Sequence, residues 1–313
     1  MRPSVAQAPD GYARAVAGEA GTAPSGPTPA ASDVLSSYRQ AGRASAEAVE
    51  HPPGEHRQVT SAAFFDVDNT IMRGASIFHL AVGMARRKFF SARQIWGFGA
   101  KQLKFVMSGS EDLEDMASAT EAALSFVEGR RVEDLVRLGD EIFDEIMIDK
   151  LIPGTLALAQ NHLDAGQEVW LVTATPIEVA TMIARRLGLT GALGTVSEIR
   201  DGVYTGRLVG KPLHGLAKAE AIRALAEREG LDLAVSSAYS DSSNDIPMLS
   251  AVGHPAAVNP DSTLRSHARA NNWPVYDFRR REQVKEYAKP ALITSGVVAG
   301  IAVGYLAGRA RRR

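Results

Sequence analysis

Phe64-Phe65-Asp66-Val67-Asp68-Asn69-Thr70 sets two carboxylates two residues apart, where the apolar run from Ala62 to Phe65 gives way to a polar turn. Short apolar runs of this kind read as buried strands of a parallel sheet, and open α/β sheets bind ligands at the carboxyl ends of such strands. An isolated acid pair in a turn also caps helices or faces solvent, so the rest of the chain decides what Asp66 and Asp68 mean. A second apolar run, Glu168 to Val172, ends on Thr173-Ala174-Thr175-Pro176. A third, Ala234 to Tyr239, ends on Ser240-Asp241-Ser242-Ser243-Asn244-Asp245. Between them Lys218 sits near the start of a strongly periodic helix running from Gly215 to Glu229.

This order of acid pair, hydroxyl, lysine and second acid pair resembles the haloacid dehalogenase-like (HAD) phosphohydrolases, subfamily IB, in their phosphoserine-phosphatase-like branch. The likeness runs from Ala62 to Asp277. It implies an α/β fold: a Rossmann-like parallel-sheet core with an inserted helical cap of the C1 type. It also implies Mg²⁺-dependent hydrolysis of a phosphomonoester through an aspartyl-phosphate. Carried over residue by residue, Asp66 is the nucleophile and Asp68 the general acid and base. Thr173, Lys218 and Asn244 hold the phosphate; Asp66, Asp68 through its backbone carbonyl, and Asp241 bind the metal, and Asp245 orients that set. Chemistry accounts for the residue types. A phosphate monoester is an anion that repels nucleophiles, so a catalyst must neutralise charge, align a nucleophile and protonate the leaving oxygen. Mg²⁺ takes oxygen ligands and keeps several waters, so one or two carboxylates suffice.

Two departures argue against phosphoserine as the substrate. Members that hydrolyse it carry a glutamate for the substrate ammonium, and the corresponding neighbourhood here is Gly74-Ala75-Ser76. They also follow the second-motif hydroxyl with two glycines, where this chain has Ala174-Thr175-Pro176.

Composition frames the rest. With 313 residues, a net charge of −1 and no cysteine, the chain has no global pull toward nucleic acid and no thiol chemistry. Residues 1–58, rich in Ala, Pro, Gly and Ser, read as a disordered tail with at most a transient helix from Asp33 to Glu50. No apolar signal-peptide core follows Met1-Arg2, so export by that route is not expected. The catalytic core is expected at residues 59–74 and 165–278, and the cap, from its helical periodicity, at 75–164. Arg86-Arg87-Lys88-Phe89-Phe90 leads into Arg93, Trp96, Phe98, Lys101, Lys104 and Phe105. That basic, aromatic surface reads either as an amphipathic cap helix or as a face for anionic lipid. Ile199-Arg200-Asp201-Gly202-Val203-Tyr204 carries an Asp-Gly hairpin turn.

A basic linker, residues 279–290, precedes an uncharged run of 18 residues, 291–308, and an arginine-rich tail at 309–313. At about 1.5 Å per residue that run is near the minimum for a membrane-spanning helix. Gly296, Gly300, Gly304 and Gly308 line one face, a pattern through which membrane helices pair, so a homo-oligomer could form there. The expected protein is a single-pass, C-terminally anchored phosphatase with its catalytic domain in the cytoplasm. It acts on a small or lipid-like phosphate ester rather than phosphoserine, without a nucleic-acid partner. The alternatives are a phosphoserine-phosphatase-type metabolic enzyme, a phosphotransferase, or a membrane-tethered binding module without turnover.

Overall fold

The computed structural model describes residues 31–49, 59–87 and 127–279. The chain falls into two compact units, residues 1–276 and 277–313, and every element below belongs to the first. In chain order these are α1 (Ala31–Glu47), β1 (Ala62–Phe65), α2 (Ser76–Arg86), α3 (Val132–Ile142), α4 (Pro153–Asp164) and β2 (Glu168–Pro176). There follow α5 (Ile177–Arg186), β3 (Gly191–Thr195), β4 (Ser197–Arg200), β5 (Val203–Leu208) and α6 (Leu216–Glu229). The last are β6 (Ser237–Ser240), α7 (Ile246–Leu249), β7 (His254–Val258), α8 (Ser262–Ala270) and β8 (Val275–Tyr276).

Six strands make one parallel sheet in the order β3-β2-β1-β6-β7-β8. All four residues of β1 are fully buried, as a central strand covered on both faces requires. β1 lies between β2, with Phe65 opposite Leu171, and β6, with Phe65 opposite Tyr239. The strand order reverses beside β1, so the carboxyl ends of β1, β2 and β6 open onto one crevice.

Two strand limits differ from the sequence expectation. β2 continues through Thr173 to Pro176, which pairs with Thr195 after a register irregularity. The start of the third run, Leu233–Val235, is instead a 3-10 turn, because the Asp232 carboxylate accepts from Ala234 N at 2.8 Å. The Asp-Gly turn forms as expected, with Asp201 at φ 51° and Gly202 at φ 74° joining β4 to β5.

The expected disordered tail is corrected over part of its length: α1 is a 17-residue helix docked on α6 and against β3. Its contact face is Ala41, Gly42, Ser45 and Ala46, all buried. A Cβ on Gly42 would lie 2.7 Å from Ala221 N, so only glycine permits this approach. Ser45 Oγ accepts from Gly194 N at 2.9 Å, and Arg228 donates to the Ala46 carbonyl.

Between the first two motifs, α2 packs on α3, and Arg87 bridges Glu141 and Glu145 at 3.2 and 2.5 Å. A π-helical stretch, Phe143–Met147, and a 3-10 turn, Ile148–Lys150, carry the chain to α4, which lies along β1 and β2. Residues 88–126 of the expected cap, with most of the basic, aromatic stretch, lie outside the described residues. So do nearly all of the linker and the whole of the proposed span, 291–308, with its tail. Among the described residues no helix is long and apolar enough to cross a membrane.

Candidate active site

Asp66 is the first residue past β1, and its amide extends the ladder by donating to the Tyr239 carbonyl at 2.9 Å. That bond fixes the backbone from which its carboxylate enters the crevice. The carboxylate is buried, and Lys218 Nζ donates to Asp66 Oδ1 at 2.6 Å and to Asp245 Oδ2 at 2.8 Å. Lys218 stands in the first turn of α6, behind Gly215, whose φ of 55° lets the helix start here. Ser240 Oγ also donates to Asp245 Oδ2, at 2.7 Å.

Burial pushes the Asp66 carboxyl up to about 8; Lys218 draws it down, while Asp245 and Asp68 push it higher. Burial works against the charge of Lys218, but Asp245 and Asp66 outweigh it and hold the ammonium above its ordinary range. The high Asp66 value thus comes first from burial, with Asp245 and Asp68 adding to it, and Lys218 alone does not offset them.

Asp68 is oriented separately. Its Oδ1 accepts from Ser76 N at 2.8 Å and from Ser76 Oγ at 2.6 Å, and Ser76 Oγ lies 2.6 Å from Thr175 Oγ1. Asn69, at φ 59°, turns the backbone after Asp68 and accepts from Gly74 N at 2.9 Å through Oδ1. Thr173 is buried within β2, where its pairing with β3 shifts register, its Oγ1 accepting from Thr175 N at 3.2 Å.

The fourth motif forms the loop after β6. The Asp241 carbonyl accepts from Asp261 N at 2.8 Å, and Asp261 Oδ2 accepts from Ser243 N at 2.7 Å. Burial pushes Asp261 up, but the amides of Leu264 and Ser243 outweigh it and hold the carboxyl low. Asn244 is exposed at the rim, with its amide on Ser242 Oγ at 3.2 Å. Asp66, Lys218 and Asp245 are thus in direct contact, Asp68 and Thr173 are linked through Ser76 and Thr175, and Asp241 and Asn244 stand at the adjoining strand end. Sequence reasoning missed Ser240 and Asp261. Asp261 carries a visible signal, since Asn259-Pro260-Asp261-Ser262 has the form of a helix N-cap.

The donor set fits Mg²⁺. Its carboxylates outnumber the ammonium that faces them, and Asp245 Oδ1 is buried with no hydrogen-bond partner. Among the described residues no three His, Asp or Glu side chains converge as a closed metal cage. A site of two carboxylates, one carbonyl, waters and a substrate phosphate has no such cage.

Comparison with known proteins agrees with this geometry. Residues 63–250 match the family model described as haloacid dehalogenase-like hydrolase. The chain is 53% identical over 255 residues to a protein of Mycobacterium tuberculosis (strain ATCC 25618 / H37Rv) named phosphoserine phosphatase SerB1, covering 82% of each. It is 28% identical over 221 residues to a histidinol-phosphatase of Neisseria meningitidis, covering 69% of this chain and 98% of that one. Among solved structures, a protein of unknown function from Bordetella pertussis superposes with a TM-score of 0.63 at 30% identity, over 70% of this chain and 99% of the other. The chain therefore belongs to the haloacid dehalogenase-like hydrolases, as a phosphoserine-phosphatase-like, Mg²⁺-dependent phosphatase.

Proposed function

We propose that the chain hydrolyses a phosphomonoester in two steps through an aspartyl-phosphate on Asp66, with Asp68 as the proton carrier. In the first step an Asp66 carboxylate oxygen attacks phosphorus, the bond from phosphorus to the ester oxygen breaks, and the Asp68 carboxyl gives its proton to the departing alkoxide. In the second, water attacks the same phosphorus and passes a proton to the Asp68 carboxylate, and the bond to Asp66 breaks to release phosphate. Lys218 and the Thr173 hydroxyl offer positive charge and a hydrogen bond to the transferring oxygens. Asp66, the Asp68 carbonyl and Asp241, with Asp245 behind them, would hold Mg²⁺, which when bound would neutralise charge at the phosphoryl group. The observation carrying this reading is the Lys218 ammonium bonded to both Asp66 and Asp245 in a buried site.

For the leaving group, the absence of charge at Ala75 and the occupation of Ser76 by Asp68 favour the phosphate of a small polyol or lipid-like alcohol over phosphoserine. Phosphoserine is the second reading, favoured by the name of the 53% identical relative. The 28% identical relative is named for another alcohol, so similarity along the chain does not by itself fix the leaving group. On a panel of phosphomonoesters, kcat/KM for phosphoserine is expected to fall below that for glycerol phosphate or a lysolipid phosphate. A phosphoserine value above every polyol and lipid phosphate tested would assign the second reading.

We also propose that residues 291–308 anchor the chain in a membrane with the catalytic unit on the cytoplasmic side. Support comes from an uncharged run of 18 residues bounded by Lys289 and Arg309. The full chain is expected to sediment with membranes and to resist high-salt extraction, whereas a chain ending at Ala288 is expected in the supernatant with its activity. Recovery of the full chain without detergent sinks the anchor.

A further inference from the structure

The two places where this chain leaves the phosphoserine-phosphatase pattern touch each other. Ser76 follows Ala75, where that pattern has its glutamate, and Thr175 falls in the segment where it has glycines. Both side chains are buried, at 0% and 2% exposure, and their hydroxyl oxygens are 2.6 Å apart. Ser76 gives its amide proton and its only hydroxyl proton to Asp68 Oδ1, so the hydrogen of the contact with Thr175 must come from Thr175. The Thr175 amide in turn donates to Thr173 Oγ1. One directed chain of donors therefore runs from the end of β2 to the acid after β1. The Ser76 amide is also the first of α2, whose preceding residue Ala75 provides no side-chain cap; Asp68 fills that role from outside the helix.

We infer that Ser76 and Thr175 are positioning residues for proton transfer by Asp68, an inference that rests on the proposed role of Asp68 as general acid. With Oδ1 engaged by two donors, Oδ2 is the oxygen left to carry the proton to the leaving group, and the carboxyl can no longer turn freely. Polarisation along the hydroxyl chain strengthens that hold. A glycine at 175 would have no hydroxyl to offer Ser76. A well-placed general acid contributes about 10²-fold to 10⁴-fold, and a small misplacement forfeits part of that.

Leaving-group chemistry provides the test. An alkyl ester such as glycerol phosphate departs as a strongly basic alkoxide and needs the proton. The anion of p-nitrophenyl phosphate departs without it. Full-length wild type, Ser76→Ala, Thr175→Val, Thr175→Ser and Asp68→Asn would be assayed with Mg²⁺ on both esters by kcat/KM, which reports the first phosphoryl transfer, and their folding checked by thermal melting. Ser76→Ala is expected to lose about tenfold or more on glycerol phosphate and under about threefold on the aryl ester. Thr175→Val should show the same selectivity more weakly, and Thr175→Ser should match wild type on both. Equal losses on the two esters, or no loss on the alkyl ester, overturn the positioning role. Should Ser76→Ala fail to fold, the two Thr175 variants decide by the same criterion. If Asp68→Asn also loses equally on both, the general-acid reading itself fails; if only Asp68→Asn is selective, the acid stands and the clasp falls.

Discussion

Asp66→Asn is expected to lower turnover by at least about 10³-fold while leaving the melting temperature near that of wild type. An amide oxygen is a poor nucleophile toward phosphorus, and a thousandfold corresponds to about 4 kcal/mol of barrier. The fold should tolerate the change, because Asn keeps an oxygen for Lys218 Nζ, now 2.6 Å from Asp66 Oδ1, and the backbone bond to the Tyr239 carbonyl is untouched. Two measurements check it. Steady-state kinetics give the loss, and acid quenching with labelled substrate should show protein-bound phosphate in wild type and none in the variant. Retention of more than about a tenth of the wild-type rate sinks the nucleophile assignment.

Lys218→Met should be the most damaging single change to stability as well as activity. Its ammonium sits 2.6 Å from one buried carboxylate and 2.8 Å from another, and all three groups are nearly free of solvent. Removing one partner of a buried ion pair strands the other charge and costs about 3–5 kcal/mol, or roughly 10 °C in melting temperature for a domain of this size. The deficit has a pH signature. Burial, with the negative charges of Asp245 and Asp68, already raises Asp66 from 3.8 to about 8 against the pull of Lys218. A group whose folded value is raised binds its proton more tightly folded than unfolded. Its contribution is therefore complete below about pH 4 and lost as pH climbs toward 8. The part of the gap between variant and wild type carried by Asp66 should stay narrow from about pH 4 to about pH 8, where both keep the proton, and widen above it, where only Lys218 lets Asp66 ionise; Mg²⁺ should close part of it. Lys218→Arg should not rescue, since a planar guanidinium cannot occupy the point between two carboxylates that an ammonium fills. Melting within about 2 °C of wild type even above about pH 8 would show that the pair carries no stability.

The site was legible because its parts are local. Asp66, Asp68, Thr173 and Asp245 each lie where an apolar run stops, and such runs are read from a handful of neighbouring residues. Lys218 could be placed because its helix is periodic and begins at a glycine. What escaped depends on distant partners. Ser76 and Thr175 are 99 residues apart, and their contact follows from the register that sets β2 beside β1, which neither segment encodes alone. α1 escaped for a different reason. Ala41, Gly42, Ser45 and Ala46 have the composition of a disordered tail, yet on a helix these small residues are what allow a backbone to approach Ala221. Smallness was read as a lack of core when it was the shape of the contact.

The seating of α1 bears on the order in which the molecule can be built. The hydrogen bonds it accepts from Gly194 and Arg228 span 149 and 182 residues. As the chain leaves the ribosome amino end first, the surface that α1 needs does not exist until α6 has been made, so α1 must wait for segments synthesised well after it. Contacts this far apart in sequence are slow to form, and until they do the apolar flank of α6, with Ala217, Ala221 and Leu225, has no cover from this side.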